Sequence, residues 1–437
     1  MLTRHKDPRP EVIGLLDIGS SKICCVIAER ATSQGQGQQD QGDGEAASGD
    51  APASGIRVLG FGHQRARGIK AGYVSDMDQA EAVVRTAISN AEGLAGITLD
   101  DIVVNVTCGR MKSMHYHAHA DLGAGYVGPD DLDRLSQGAY AYAERDGRAV
   151  VHMNRIAYLL DGMAGVRQPL RMAGHRLSAQ YHAVTVDEPA LENLLLLIRR
   201  SFLNVRQFVP TGFASALATT TEDERRFGVI CVDIGDGTTN ISLMADGRFL
   251  CAEVLPFGSG ILTYDIAKAL AAPLAEAERI KTLYGTMIPA GSDDQQTIGY
   301  ALAGDEDEEQ SYTTRAELRR IIYPRMLSQL NLLRERIETS DVLGATDYSV
   351  VLTGGASQLI GLPAVAADML GRPVRLGRTR IAAHMPEVLR SPAFATVVGM
   401  IDAATVRGQG ASDRTVERPD EDGSYIGRVK TWLRESF

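Results

Sequence analysis

Short, almost wholly apolar runs alternate with glycine-bearing turns along this chain, and one such unit occurs twice. The run 12–16 breaks at Asp17-Ile18-Gly19-Ser20-Ser21-Lys22 and resumes over 23–28. The run 228–232 breaks at Asp233-Ile234-Gly235-Asp236-Gly237-Thr238-Thr239 and resumes over 241–244. Uninterrupted apolar runs of this length predict buried strands, and the glycine turns between them predict hairpins. Two copies predict two facing half-domains. Residues 78–93 have helical period, 102–106 returns to strand character, and 111–119 and 149–159 add strands around a helix starting at Gly128-Pro129-Asp130, where Pro and Asp mark a helix N-terminus. The run 175–186 is expected to return as a strand to the first half, followed by a helix over 188–202. A third β-rich run, 350–353, stops at Gly354-Gly355-Ala356.

These patterns divide the chain into a first half-domain (1–93, resuming at 168–209), an insert (94–167), a second half-domain (210–272 and 336–402) with its own insertion (273–335), a polar linker (403–423) and a terminal helix (424–437). Residues 31–55 hold almost no large apolar side chains and are expected to be a disordered loop, because they cannot bury enough surface to offset chain entropy.

The turns carry candidate chemistry. Gly19, Gly235 and Gly237 are expected to take positive φ and press N–H groups onto phosphate oxygens, with Ser20, Ser21, Thr238 and Thr239 adding hydroxyl donors. Asp17 and Asp233 at the strand ends would face the same phosphates, which a divalent cation such as Mg²⁺ between them makes tolerable. Lys22 either neutralises phosphate charge or is a surface residue after a turn. Gly354, Gly355 and Ala356 offer bare backbone on which a flat base or ribose packs. Glu278 and Lys281 share a helix face, either as nucleotide contacts or as an ordinary ion pair.

Composition narrows the classes. With 437 residues the chain is long enough for several domains. A net charge of −10 argues against nucleic acid as a partner. The five cysteines show no Cys-x-x-Cys spacing and read as buried thiols of a reducing cytoplasm. No signal core and no apolar run of about 18 residues is present, so neither export nor membrane spanning is expected. His115, His117 and His119 alternate along one strand face, as metal ligands or as a polar sheet surface, and 305–309 reads as a cation site or a solvated acidic loop.

The three glycine motifs in this order resemble the phosphate and adenosine motifs of the actin, heat-shock chaperone and sugar kinase superfamily. Ser21-Lys22-Ile23 after the first turn, Leu352-Thr353-Gly354-Gly355-Ala356-Ser357-Gln358-Leu359, Thr221-Glu222-Asp223-Glu224-Arg225 and the terminal Trp432-Leu433-Arg434-Glu435-Ser436-Phe437 resemble more specifically the FtsA family of bacterial cell-division proteins. That resemblance implies an α/β, actin-like, duplicated ribonuclease H-like fold around a nucleotide cleft, with an α+β insert in the first half. It also implies ATP binding, polymerisation, attachment of the FtsZ ring to the cytoplasmic face of the inner membrane, and binding of later division proteins through the insert. Asp236 and Asn240 stand where the family more often has Gly and Asp, adding a carboxylate near the phosphates. The alternatives are a pilus-assembly ATPase adaptor of the same fold and a small-molecule kinase. A kinase needs a carboxylate base after the half-domain boundary, and 210–219 has none; it also has no glutamine to position an attacking water, so at most slow hydrolysis is expected.

Two surfaces follow. The helix-like stretch 313–333, where Arg315, Arg319, Arg320 and Arg325 stand beside Leu318, Ile321 and Ile322, is expected either to dock the acidic, apolar FtsZ tail implied by the resemblance or to be an ordinary solvated helix face. At 100° per residue Tyr425, Ile426, Val429, Trp432, Leu433 and Phe437 fall in one arc of about 140°, opposite Arg428, Lys430 and Arg434. That segregation suits a helix lying on an anionic membrane surface or one docked on the protein's own core, and the preceding polar linker favours the membrane.

Overall fold

The computed structural model describes residues 11–30, 56–123, 125–289, 291–303, 310–345, 347–379 and 385–405. The expected loop 31–55, the acidic run 305–309, most of the linker 403–423 and the whole terminal helix 424–437 lie outside the described residues. Two five-stranded sheets form the two halves. In the first, the order is Asn204–Pro210, Asp101–Val106, Glu11–Ile18, Lys22–Arg30, Ile56–Arg65; in the second it is Val374–Leu376, Ser349–Thr353, Val229–Ile234, Thr239–Ala245, Arg248–Leu255. Each sheet places its first strand at the centre, continuing on one side through two successive antiparallel pairings and on the other through two parallel pairings. Strands buried on both faces read as continuous apolar runs, which is why 12–16 and 228–232 stand out in the sequence.

The closest contact at the interface between the halves is made by small residues. The helix Thr211–Thr219 crosses the helix Ala395–Thr405 so closely that a Cβ on Gly399 would lie 1.7 Å from the Ala214 carbonyl oxygen. Ala214, Ala218, Val397, Val398 and Ile401 from these helices join Ile13 and Leu15 of the first sheet in one apolar cluster.

The insert is a four-stranded sheet, Lys112–Asp121, Arg176–Asp187, Arg148–Leu160, Met163–Val166, with the helix Pro129–Ala143 on one face. Two expectations change here. The strand Arg176–Asp187 does not return to the first half: it pairs antiparallel on both sides with insert strands. The run 102–106 is the reverse case, belonging to the first-half sheet through parallel pairing with Glu11–Ile18. A single strand's apolar pattern fixes burial but not its neighbours.

Candidate nucleotide cleft

The duplicated turns close in the same way. The Gly19 N–H donates to the Lys22 carbonyl at 3.0 Å, and the Gly235 N–H donates to the Thr238 carbonyl at 2.9 Å. Those two amides are therefore spent inside the turns rather than aimed at a ligand. Nor do Gly19, Gly235 and Gly237 take positive φ as expected. They are needed for close approach instead: an added Cβ would meet the Lys22 carbonyl at 3.0 Å, the Thr238 carbonyl at 3.1 Å and the Ser20 hydroxyl at 2.5 Å, respectively. Gly354 is the one of these glycines in the left-handed region, at φ 84°, where a Cβ would also stand 2.3 Å from Asp233 Oδ1.

Both turns line one cavity of about 350 Å³ between the halves, together with Glu278, Lys281, Gly354, Gly355 and Ala356. Fifteen of the sixteen residues singled out for nucleotide binding thus come together. Thr239 does not, because its side chain points into the protein and donates to the Phe257 carbonyl at 2.9 Å. Asp17 and Asp233 face the cavity from the penultimate positions of their strands, each only 6% exposed. Burial raises the Asp17 carboxyl to about 6, with Lys22 drawing it down and Asp233 pushing it up. Burial also raises Asp233, against hydrogen bonds from Ser215 at 2.5 Å and Thr396 at 3.3 Å. Two buried carboxylates held above their ordinary range lack sufficient positive charge, and such a donor set fits a hard divalent cation.

Lys22 reaches across the cleft, donating to the Ala393 carbonyl and standing 4.3 Å from the Phe394 ring centroid. Lys281, 6% exposed, pairs with Glu278 at 2.6 Å and donates to Thr263 at 2.8 Å. Burial raises the half-buried Asp236, while Lys281 draws it down, so the extra carboxylate of the second turn is partly balanced by this lysine. Asn240 accepts a 2.7 Å hydrogen bond from the Thr107 hydroxyl of the first half, a neutral link between the halves that an aspartate would make at the cost of another buried charge.

Asn105, Thr107, Thr211, Ser259, Gln358 and Thr396 also line the cavity without having been singled out. Asn105 Oδ1 accepts from the Ile18 N–H at 2.7 Å and so orients the first turn. The duplication held the signal: Asn105 is the penultimate residue of Asp101–Val106, the parallel neighbour of the first half's central strand, and Thr353 ends Ser349–Thr353, the matching neighbour in the second half. Among the candidate docking arginines, Arg319 approaches Asp294 at 3.4 Å and Arg325 pairs with Asp265 at 2.6 Å. Arg315 is half-buried at the start of the helix Arg315–Thr339, and Arg320 is exposed. Leu318 and Ile322 are fully buried, so they are core and not the expected apolar docking face. Among the described residues no group of three His, Cys, Asp or Glu is arranged to hold a metal, which removes the histidine-strand metal site. All five cysteines are buried and free, and no helix of the described residues is long and apolar enough to cross a membrane.

Residues 230–399 match the family model for the cell division protein FtsA, and residues 108–185 match that for the SHS2 domain inserted in FtsA. The FtsA of Agrobacterium fabrum is 36% identical over 433 residues, covering 98% of this chain and 96% of the relative. That of Pseudomonas aeruginosa is 29% identical, covering 98% of each, and that of Escherichia coli K12 is 26% identical, covering 98% and 99%. Among solved structures, a chain of the PilM–PilN type IV pilus biogenesis complex superposes with a TM-score of 0.59 at 17% identity, over 91% of this chain and 99% of its own. ADP-bound MreB5 of Spiroplasma citri superposes with a TM-score of 0.51 at 11% identity, over 90% and 96%. The fold is therefore actin-like, with the SHS2 insert in its first half.

Proposed function

We propose that this chain, which belongs to the FtsA family of cell division proteins, binds ATP with Mg²⁺ between its two turns and uses the nucleotide to set its assembly state. The observation that carries this reading is the convergence of both turns, both buried aspartates and the Gly354-Gly355-Ala356 backbone on one cavity. Asp17 and Asp233 would hold the cation, which supplies charge neutralisation to the phosphates. Ser20, Ser21 and Thr238 hydroxyls would orient the phosphates, Lys22 would add its charge, and the Glu278–Lys281 pair would meet the ribose side. The helix Thr211–Thr219 supplies hydroxyls but no carboxylate base, which suits a ligand that shifts a conformational equilibrium more than one that is rapidly consumed.

In this reading the chain polymerises and tethers the FtsZ ring to the cytoplasmic membrane face at the septum. Its acidic FtsZ-tail partner would meet the outer side of the helix Arg315–Thr339, where Arg320, Tyr323 and Arg325 are exposed, and residues 424–437 would form the membrane anchor. Co-sedimentation with anionic liposomes tests the tether: the intact chain should pellet and carry FtsZ with it. A chain lacking 424–437 should do neither, and equal pelleting of both would refute the anchor.

A further inference from the structure

The edge strand Arg248–Leu255 of the second-half sheet presents unpaired backbone groups on its outer side, the kind of edge that folded proteins cover. Here the insert covers it, and with side chains. The Ala252 N–H donates to Ser113 Oγ at 3.0 Å, and Ser113 Oγ lies 2.7 Å from His182 Nε2. His182 Nδ1 lies 3.1 Å from Asn154 Oδ1, and Asn154 Nδ2 donates to the Phe249 carbonyl at 3.1 Å.

The donors in this chain are determined by its ends. Asn154 gives its amide hydrogens to Phe249, so its oxygen must accept, and His182 carries its proton on Nδ1. His182 Nε2 is then an acceptor, and Ser113 gives it the hydroxyl hydrogen while receiving the Ala252 N–H on a lone pair. The relay thus begins and ends on the backbone of the second half, and every member is satisfied in one arrangement. His182 is fully buried and Asn154 is 5% exposed. Burial holds His182 well below the ordinary histidine range, so the neutral ring the relay needs is the one present. The Phe249 ring fills the space beneath, 4.9 Å from His182, 5.3 Å from His152 and 4.7 Å from Phe213, centroid to centroid. Val151, Val184 and Val186 of the insert share one apolar cluster with Phe249 and Ala252.

The other end of the insert is joined covalently to the first half. Its entry, Gly109-Arg110, has φ of 77° and 42°. There the Asp187 N–H donates to the Gly109 carbonyl at 2.7 Å, and the Asp187 carboxylate accepts from both Arg110 and Arg148 at 2.5 Å.

We propose that the insert is a strap between the two halves, built into the first half at Gly109-Arg110 and Asp187 and latched to the second half by the Ser113–His182–Asn154 relay. The halves then separate only when the latch releases or the insert swings with the second half about Gly109-Arg110, so insert orientation and cleft opening form one coupled coordinate. The inference does not depend on which ligand the cleft holds.

Two measurements on the full-length chain test it. In the first, hydrogen exchange is compared between the parent and Ser113→Ala, a small deletion that keeps the packing. The Ala252 amide should exchange roughly tenfold or more faster in the variant while 229–234 keeps its protection; unchanged Ala252 protection would refute the latch. In the second, spin labels are placed at Gly93→Cys (first half), Gly138→Cys (insert) and Ala269→Cys (second half), all exposed positions. Asn154→Leu serves as an independent latch variant. Either variant should broaden the 138–269 and 93–269 distance distributions together. A broadened 138–269 distance with 93–269 unchanged would show a latch that does not restrain the cleft, and would overturn the strap.

Discussion

Gly237 in the second turn lies against Ser20 in the first, so that a Cβ at 237 would stand 2.5 Å from the Ser20 hydroxyl and 2.9 Å from its Cβ. The two turns are thus spaced by the absence of one carbon. Gly237→Ala should push them apart and weaken Mg-ATP binding about tenfold, an effect of about 1.4 kcal/mol. Adding Ser20→Gly should restore part of the loss. Titration of the two single variants and the double variant checks this, and additive losses would contradict direct contact.

The buried aspartates make stability depend on pH. Asp17 ionises near 6 when folded and near 3.8 otherwise, so the folded state binds the extra proton between these values. Ligand-free stability should therefore fall as pH rises from about 4 to about 6, by up to about 3 kcal/mol. Asp17→Asn should flatten that fall in urea melts across the pH range. Mg²⁺ with ATP at pH 7.5 should raise the melting temperature of the parent but not of the variant.

Lys281 is the buried cation beside Glu278 and Asp236. Lys281→Met should cost about 2 kcal/mol because it leaves both carboxylates without their nearby charge. Glu278→Gln should cost less, about 1 kcal/mol, since Thr263 still accepts from Lys281. Equal losses in chemical denaturation would show that the pair acts only through packing.

On the helix Arg315–Thr339, Arg320→Glu should weaken an acidic FtsZ-tail peptide about tenfold and leave ATP binding intact. Leu318→Ala should instead lower stability by about 2–4 kcal/mol, because Leu318 is core. Fluorescence titration beside thermal melts separates the two. Trp432→Glu should leave both properties unchanged and abolish liposome pelleting.

Strand–turn–strand units were legible because central strands show apolar residues on both faces and their turns need glycine. The conformation of those glycines was not: the residue type says that a Cβ is excluded, not whether φ or a neighbour such as Ser20 excludes it. Strand partners were equally hidden, and Arg176–Asp187 went to the insert because its pairing depends on residues some 60 positions away in Lys112–Asp121. Leu318 and Ile322 looked like a docking face beside arginines because a helix with both sides contacted gives no clean amphipathic stripe.

The central claim is that the two turns hold one Mg-nucleotide together. Isothermal titration of Mg-ATP into the full-length chain tests it most directly, beside Gly235→Val in one turn and Asp17→Ala in the other. The account predicts one site per chain in the parent, dependent on Mg²⁺, with each variant at least about tenfold weaker. Binding of ATP by Gly235→Val with the parent's affinity would contradict it.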